Sequence, residues 1–348
     1  MANKVMKAVV FKRHGNAKVL EVASVPRPTP GLGEALIRVK ACAINHLDIW
    51  ARQGMPGIEI PRPHILGSDV AGIIESLGSP VSGFKKGQPV VVAPGLSCGA
   101  CPQCRAGQDS RCAQFQILGL QINGGYAQYV KVPIRNLTPI STKDLSFQQW
   151  AAAPLVFLTA WHMLMTRGKL SPGETVLIHA AGSGIGSAAL QIARWRKARV
   201  LTTVGSKSKV KQAKKLGADQ VLLYKEKNFA KEALRLTQDQ GVDLVFEHIG
   251  PETWADSMRC LARGGRMVTC GATSGGEVQI DLRYFFVKEL SVTGCYMGSR
   301  QEQAQVFQLI QNGVLHPVVD TTFPLKDAAK AHLRMESRKN FGKLVLVP

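Results

Sequence analysis

No stretch of this 348-residue chain carries the 18 or so consecutive apolar residues that a membrane-spanning helix needs. The longest apolar run, Trp150 to Met165, is interrupted by Pro154, Thr159 and His162. The N-terminus passes straight into a strand-like run ending at Phe11, without the apolar core or cleavage site of a secretory signal. A cytoplasmic protein clear of the membrane is therefore expected. Internal repeats and low-complexity tracts are absent. Acid is scarce: 24 Asp and Glu face 44 Lys and Arg, for a formal net charge of +20. That balance favours anionic partners such as phosphorylated cofactors, acidic substrates or nucleic acid. The cations are not interleaved with the aromatics that stack bases, so nucleic acid is not the expected partner, and RNA binding would be a second activity.

What is present describes an ordinary globular chain, with 45% apolar and 20% charged residues. Its length suggests two domains. As far as about residue 145 it reads as short strands set off by Gly and Pro turns: Lys7–Phe11, Glu34–Ala43, Asp69–Leu77, Pro89–Ala93 and Tyr126–Val132. Ser146 then caps a helix, and strands begin to alternate with helices of ten or so residues. The strands fall at Thr175–His179, Arg199–Val204, Gln220–Leu223, Val242–Phe246, Gly265–Cys270 and Leu290–Gly294, with helices at Gly186–Arg196, Lys207–Leu216 and Ala230–Thr237. The fold class is α/β: a β-barrel domain beside a doubly wound parallel sheet. The tail from Arg300 adds a helix, a strand at Pro317–Thr322, a short helix and a last strand, Lys343–Val347.

Strand Thr175–His179 runs into Ala180-Ala-Gly-Ser-Gly-Ile-Gly186 and then a helix. Glycines in that setting let backbone N–H groups approach a pyrophosphate at a helix N-terminus. Ser183, Gly184, Ile185 and Gly186 are the expected contacts. With Gly186 as the last glycine of G-x-G-x-x-G, Ala181 and Ser183 stand where the first two would be. An NAD site needs a carboxylate about 20 residues on, for the ribose 2′-hydroxyl. Here no Asp or Glu occurs between Glu174 and Asp219, and the second strand ends in Val204-Gly-Ser-Lys-Ser-Lys209. Ammonium groups and serine hydroxyls suit a 2′-phosphate, so the expected cofactor is NADPH, held by Ser206, Lys207 and Lys209.

Four of the eight cysteines, Cys98, Cys101, Cys104 and Cys112, fall in a C-x2-C-x2-C-x7-C cluster. Four thiolates with no open position make a structural zinc site.

On these motifs the chain resembles the medium-chain dehydrogenase/reductase superfamily over its full length. The resemblance implies a GroES-like catalytic domain (1–155 and 297–348, with the zinc lobe at 94–114) and a Rossmann NADP-binding domain (156–296). In the family's zinc alcohol dehydrogenases, a Cys, a His and a Cys or Glu hold a catalytic zinc; Asn45, Ser68 and a position near Leu155 match them here. All three ligands are absent, so a Lewis acid for alcohol oxidation is not expected.

The segment Asn45-His-Leu-Asp-Ile-Trp-Ala-Arg-Gln-Gly54 is instead similar to the N-x-x-D-x-Y-x-R-x-G of the quinone oxidoreductase and enone reductase branch, and Phe157-Leu-Thr-Ala-Trp161 to its T-A-[WY]. Trp50 stands in place of the tyrosine, and an indole donates no catalytic proton at neutral pH. The resemblance sets Asn45 and Thr159 beside the nicotinamide, gives Tyr224 to the 2′-phosphate with Ser206 and Lys209, and brings Cys270 and Asn340 (in Asn340-Phe-Gly-Lys343) to the cofactor. His46 has two readings, pyrophosphate ligand or proton donor, and a water held by Asn45 is the other candidate donor. Asp48 is either catalytic or an orienting acceptor inside the barrel.

The implied activity is NADPH-dependent, metal-free transfer of hydride to a quinone or activated alkene, with small-molecule carbonyl compounds as substrates. The alternative is a zinc-dependent alcohol or aldehyde dehydrogenase with an unrecognised catalytic site. A homodimer joined near Leu290–Gly294 is implied, with a tetramer as the larger assembly.

Overall fold

The computed structural model describes residues 4–79 and 81–348. Its Cα packing divides the chain into two units, Met1–Leu155 with Ser299–Pro348, and Val156–Gly298.

The first unit is built on a long central strand, Glu34–Ala43, which pairs antiparallel with Asp69–Leu77 along its length. Tyr129–Pro133 pairs with the start of that strand, and Lys343–Val347 with its end, through Val345↔Ala43 and Leu346↔Cys42. The C-terminal strand therefore delivers Lys343 to the place where the central strand gives way to the helix His46–Gln53. Val319–Pro324, Pro89–Val92 and Leu137–Pro139 complete the seven-stranded sheet. A second sheet pairs Val5–Phe11 with Glu21–Pro26 and His64–Ile65. The interior is Val, Ile, Leu and Ala, and Glu34–Ala43 and Asp69–Leu77 carry runs of consecutive buried residues, as strands covered on both faces do.

Several sequence expectations shift here, among them the strand read at Pro317–Thr322, which is found at Val319–Pro324. Tyr129–Pro133 begins three residues later than read, because Tyr126 and Gln128 bond instead to Leu66 and Lys7 as the chain crosses between sheets. The helix His46–Gln53 went unread, since two turns give too little apolar periodicity to recognise.

The second unit is a six-stranded parallel sheet in the order Gln220–Leu223, Arg199–Val204, Thr175–Ile178, Val242–Glu247, Leu261–Thr269, Ser291–Gly294. This is the doubly wound order 3-2-1-4-5-6, whose switch point lies between the first and fourth strands of the unit. Ligands of such sheets bind at the carboxyl ends of those strands. The helix after the first strand, Gly184–Trp195, starts two residues earlier than read, capped by Ser183, whose hydroxyl accepts from Gly186 N–H. The expected helix Lys207–Leu216 breaks into a 3₁₀ turn, Lys207–Lys209, and a helix Val210–Lys215. Among the described residues, no helix is long and apolar enough to cross a membrane.

Candidate functional site

In the parallel-sheet unit, the turn from Ile178 to Gly184 is shaped by close approach. A Cβ on Gly186 would stand 2.2 Å from the Ala180 carbonyl oxygen, so only glycine lets the helix start so near the strand end. Ala180 itself takes a positive φ of 51°. The helix N-terminus thus lies at the carboxyl end of strand Thr175–Ile178, the kind of position at which backbone N–H groups can stabilise a pyrophosphate.

Around this turn the structure gathers most of the residues expected to read the adenosine end. The Lys209 side chain lies over Gly182, its Nζ 3.1 Å from where a Cβ would be. Tyr224 Oη stands 2.8 Å from the same point on Gly205, and Ser206 Oγ is 2.9 Å from Ser208 Oγ. Lys207 differs: it points to Glu226, 3.5 Å away. No Asp or Glu occurs from residue 175 to residue 218, so no carboxylate follows directly on the end of strand Arg199–Val204.

Beneath the turn lies a polar cluster not visible in sequence. Buried Glu247 accepts N–H bonds from Ile249 and Gly250 and hydroxyl bonds from Thr253 and Ser257. With Ser257 donating to Glu247, His179 Nε2–H donates to Ser257 at 2.8 Å, and His179 Nδ1 accepts from Thr203. Burial holds His179 neutral, near pKa 4, against the pull of Glu247. Thr203 also receives Ala180 N–H, so the cluster fixes the turn from below. Thr159, on the helix Pro154–Trp161, is buried with its hydroxyl 4.0 Å from Met297 Sδ. Cys270 follows strand Leu261–Thr269, half-buried, its N–H bonded to Glu247 O.

In the first unit the four cysteine Sγ atoms lie within 4.8 Å of one another, with Cys98 and Cys104 3.8 Å apart. A tetrahedron of Zn–S bonds of about 2.3 Å has edges close to that length. Backbone N–H groups of Ala100 and Cys101 point at Cys98 Sγ, which favours its thiolate. Among the described residues, this is the one group of three or more His, Cys, Asp or Glu side chains spaced to hold a metal.

The positions matching the catalytic zinc ligands surround a carboxylate instead. Asp69 is fully buried; its Oδ2 accepts from Asn45 Nδ2 at 2.9 Å and from Lys343 Nζ at 3.0 Å, and its Oδ1 from Leu155 N–H at 2.8 Å. Lys343 Nζ also donates to Asn45 Oδ1. Ser68, next in sequence, is fully buried with an unpartnered hydroxyl. One carboxylate among an amide, a hydroxyl and an ammonium does not make a zinc donor set, and an ammonium repels a dication.

Asp48 anchors the same corner. Fully buried, it accepts from Asn45 N–H at 2.7 Å, Gly67 N–H at 3.1 Å and Tyr126 Oη at 3.1 Å. Burial lifts its carboxyl to about 6, opposed by those donors and by the Lys343 charge. Behind it runs a buried chain. Arg52 has only donors, so His332 Nδ1 accepts from it at 3.1 Å. Burial and the Arg52 charge hold His332 neutral, near 3, so its proton sits on Nε2 and is donated to Tyr126 Oη, 3.0 Å away. Tyr126 is left to donate to Asp48. Glu336 completes the chain by pairing with the buried Arg52 at 2.5 Å. His46 is half-buried at the start of the helix, edge-to-face with Trp50 at 5.3 Å. Asn340 bonds back to Gly342 O, turning the chain into the strand that carries Lys343.

Sequence reasoning reached Asn45, Asp48 and the Asn340–Lys343 segment but missed Asp69, Tyr126, Arg52 and His332 as partners. Separations of up to 280 residues hid them. The one available signal was Asp69, an acid at the head of an otherwise largely apolar strand-like run.

The family described as "Alcohol dehydrogenase GroES-like domain" matches residues 31–142, and "Zinc-binding dehydrogenase" matches residues 184–312. The chain is 32% identical to a mouse quinone oxidoreductase, covering 99% of this chain and 98% of that one. It is 30% identical to an NAD-dependent alcohol dehydrogenase of Sulfolobus acidocaldarius, covering 98% and 99%. A solved structure of an NAD-dependent alcohol dehydrogenase superposes with a TM-score of 0.95 at 43% identity, covering 99% of this chain and all of that one.

Proposed function

The chain belongs to the medium-chain dehydrogenase/reductase superfamily, with a GroES-like domain and a Rossmann-like parallel sheet, and from that premise we propose that it is an NADPH-dependent reductase of quinones or activated alkenes whose hydride transfer uses no catalytic metal. The observation that carries the reading is the Asn45–Lys343–Asp69 cluster, a buried ammonium and amide where a zinc would need soft ligands. NADPH, when bound, supplies the hydride.

The residues of the chain bind and orient. Gly184, Ile185 and Gly186 offer the pyrophosphate the N–H groups of a helix start, with Ser183 capping it. Ser206, Lys209 and Tyr224 grip the 2′-phosphate, Lys209 reaching across Gly182. Lys207, paired with Glu226, takes a smaller share. His46, Thr159, Cys270 and Asn340 are the further residues we assign to the cofactor. Asn45, with one Nδ2–H engaged by Asp69, has a second to offer the substrate's carbonyl oxygen as charge develops there. Asp48 holds the Asn45 backbone and orients rather than reacts. A quinone accepts hydride with little proton assistance, which suits a site without a strong acid. Cys98, Cys101, Cys104 and Cys112 hold one structural zinc. The edge strand Ser291–Gly294, beside exposed Leu282 and Phe286, is the surface proposed for homodimer formation.

A second reading, alcohol oxidation with NAD, is favoured by the 43% identity to a structure so described. It needs a second zinc per chain. Initial rates with NADPH and NADH against a quinone, an enone and a primary alcohol separate the two. The account expects NADPH oxidation by the quinone or enone, at least tenfold faster than with NADH. Turnover confined to NAD and the alcohol would sink it.

A further inference from the structure

The buried ammonium of Lys343 has no role yet beyond its bonds. Its surroundings are specific. The residue is 3% exposed, at the head of the C-terminal strand, and donates to Asn45 Oδ1 and Asp69 Oδ2. An ammonium has donors only, so it accepts one orientation of the Asn45 amide, the one with Oδ1 facing it. A carboxylate has acceptors only, so Asp69 demands the opposite edge, Nδ2, and receives it at 2.9 Å. The two charges therefore specify the same rotamer from both sides. Neither alone would be as selective, because a water or a neutral partner tolerates an amide turned by 180°.

That orientation matters for what Asn45 shows to a substrate. With Oδ1 taken by Lys343, the amide presents an N–H donor outward and not a carbonyl acceptor. Donation from an ammonium to Oδ1 also withdraws electron density from the amide and strengthens its N–H as a donor. Asn45 sits where the strand Glu34–Ala43 passes into the helix His46–Gln53, and its backbone is pinned by Asp48. Main chain and side chain are thus fixed by separate partners.

We propose that Lys343 is a positioning residue of the reaction, which holds the Asn45 amide with its Nδ2–H toward the substrate oxygen. This rests on the reductase reading for the identity of the substrate, but not for the orientation of the amide. Lys343 acts through Asn45 and touches no reacting atom in this account, so its effect should vanish once Asn45 is gone.

The test uses the full-length protein and four variants: Lys343→Met, Lys343→Arg, Asn45→Leu and the double Lys343→Met/Asn45→Leu, each checked for a native melting transition. With NADPH and a benzoquinone, Lys343→Met should lower kcat roughly 100-fold, as loss of an aligned oxyanion donor does. KM for NADPH should stay within threefold, and Lys343→Arg should retain kcat within about tenfold. The double variant should be no slower than Asn45→Leu alone, since the two residues act as one unit. A kcat for Lys343→Met within threefold of the parent, or losses that multiply in the double variant, would overturn the proposal. Should Lys343→Met not fold, Lys343→Gln, which keeps a donor without the charge, is expected to lose about tenfold in kcat, and no loss there counts against the proposal.

A second readout needs no turnover. The side-chain amide signal of Asn45, identified as the one missing from Asn45→Leu in a ¹⁵N spectrum, should exchange with solvent at least tenfold faster in Lys343→Met. Unchanged exchange would contradict the positioning role. Faster exchange in a protein that reduces neither quinone nor enone would leave the positioning role standing and remove the reductase reading.

Discussion

The Tyr126 hydroxyl donates to Asp48 Oδ2 across 3.1 Å, and it can do so because His332 supplies Tyr126 with a proton from the other side. Every bond in this chain has one allowed direction, set at its far end by an arginine that cannot accept. The chain ends on the backbone N–H of Asn45.

A pH dependence follows. The Asp48 carboxyl is raised to about 6 in the fold, above its ordinary value near 4. The folded protein thus holds an extra proton between roughly pH 4 and 6, and this group makes the fold less stable as pH rises through that window. Asp48→Asn carries no such charge. The stability of the parent relative to Asp48→Asn should fall as pH rises from 4 to 6 and level off above, measured by urea unfolding across that range. A constant difference would show that Asp48 titrates normally.

Cofactor choice is tested at the adenosine end. Lys209→Ala should raise KM for NADPH by roughly 10- to 100-fold, the worth of one charge-assisted bond. KM for NADH should barely move. Lys207→Ala, whose ammonium is engaged by Glu226, should show less than a tenth of that effect. Steady-state kinetics with both nucleotides settles the ranking.

Glu247 is expected to matter for stability more than for chemistry. Its carboxylate receives four donors, two of them backbone N–H groups, in a fully buried setting. Glu247→Ala leaves them without a partner and should cost about 3–5 kcal/mol in urea unfolding. Glu247→Gln, which keeps acceptor capacity on one atom, should cost clearly less.

On the proposed structural role, loss of a zinc held by the four cysteines should unfold the lobe without touching the hydride step. Cys104→Ser is expected to lower Tm by about 5 °C or more and to increase protease cleavage between residues 94 and 114. kcat measured well below that Tm should stay within threefold. A large loss of kcat at full folding would make the metal catalytic.

Much of this was readable in one dimension. The alternation of strand and helix after Ser146 announced the parallel sheet, because each βα unit is a local pattern of fixed length. The cysteine spacing is likewise local, and so is the acid-free run from Gly205 to Lys209 on which the proposed cofactor preference rests. The corner around Asn45 is different. Its geometry depends on Asp69 from a neighbouring strand, on Lys343 from the last strand, and on His332 from a helix near the C-terminus. Such partners are joined by sheet register, which no single segment encodes. Boundaries moved for the same kind of reason: strand Tyr129–Pro133 starts late because Tyr126 and Gln128 are bonded to another sheet.

The most direct test is zinc per chain, by elemental analysis of gently purified protein that oxidises NADPH with a quinone. The account requires one zinc per chain, lost together in Cys98, Cys101, Cys104 or Cys112 variants. Two zincs per chain, with the second lost and turnover abolished in Asn45 or Asp69 variants, would place a metal where Lys343 stands and contradict it.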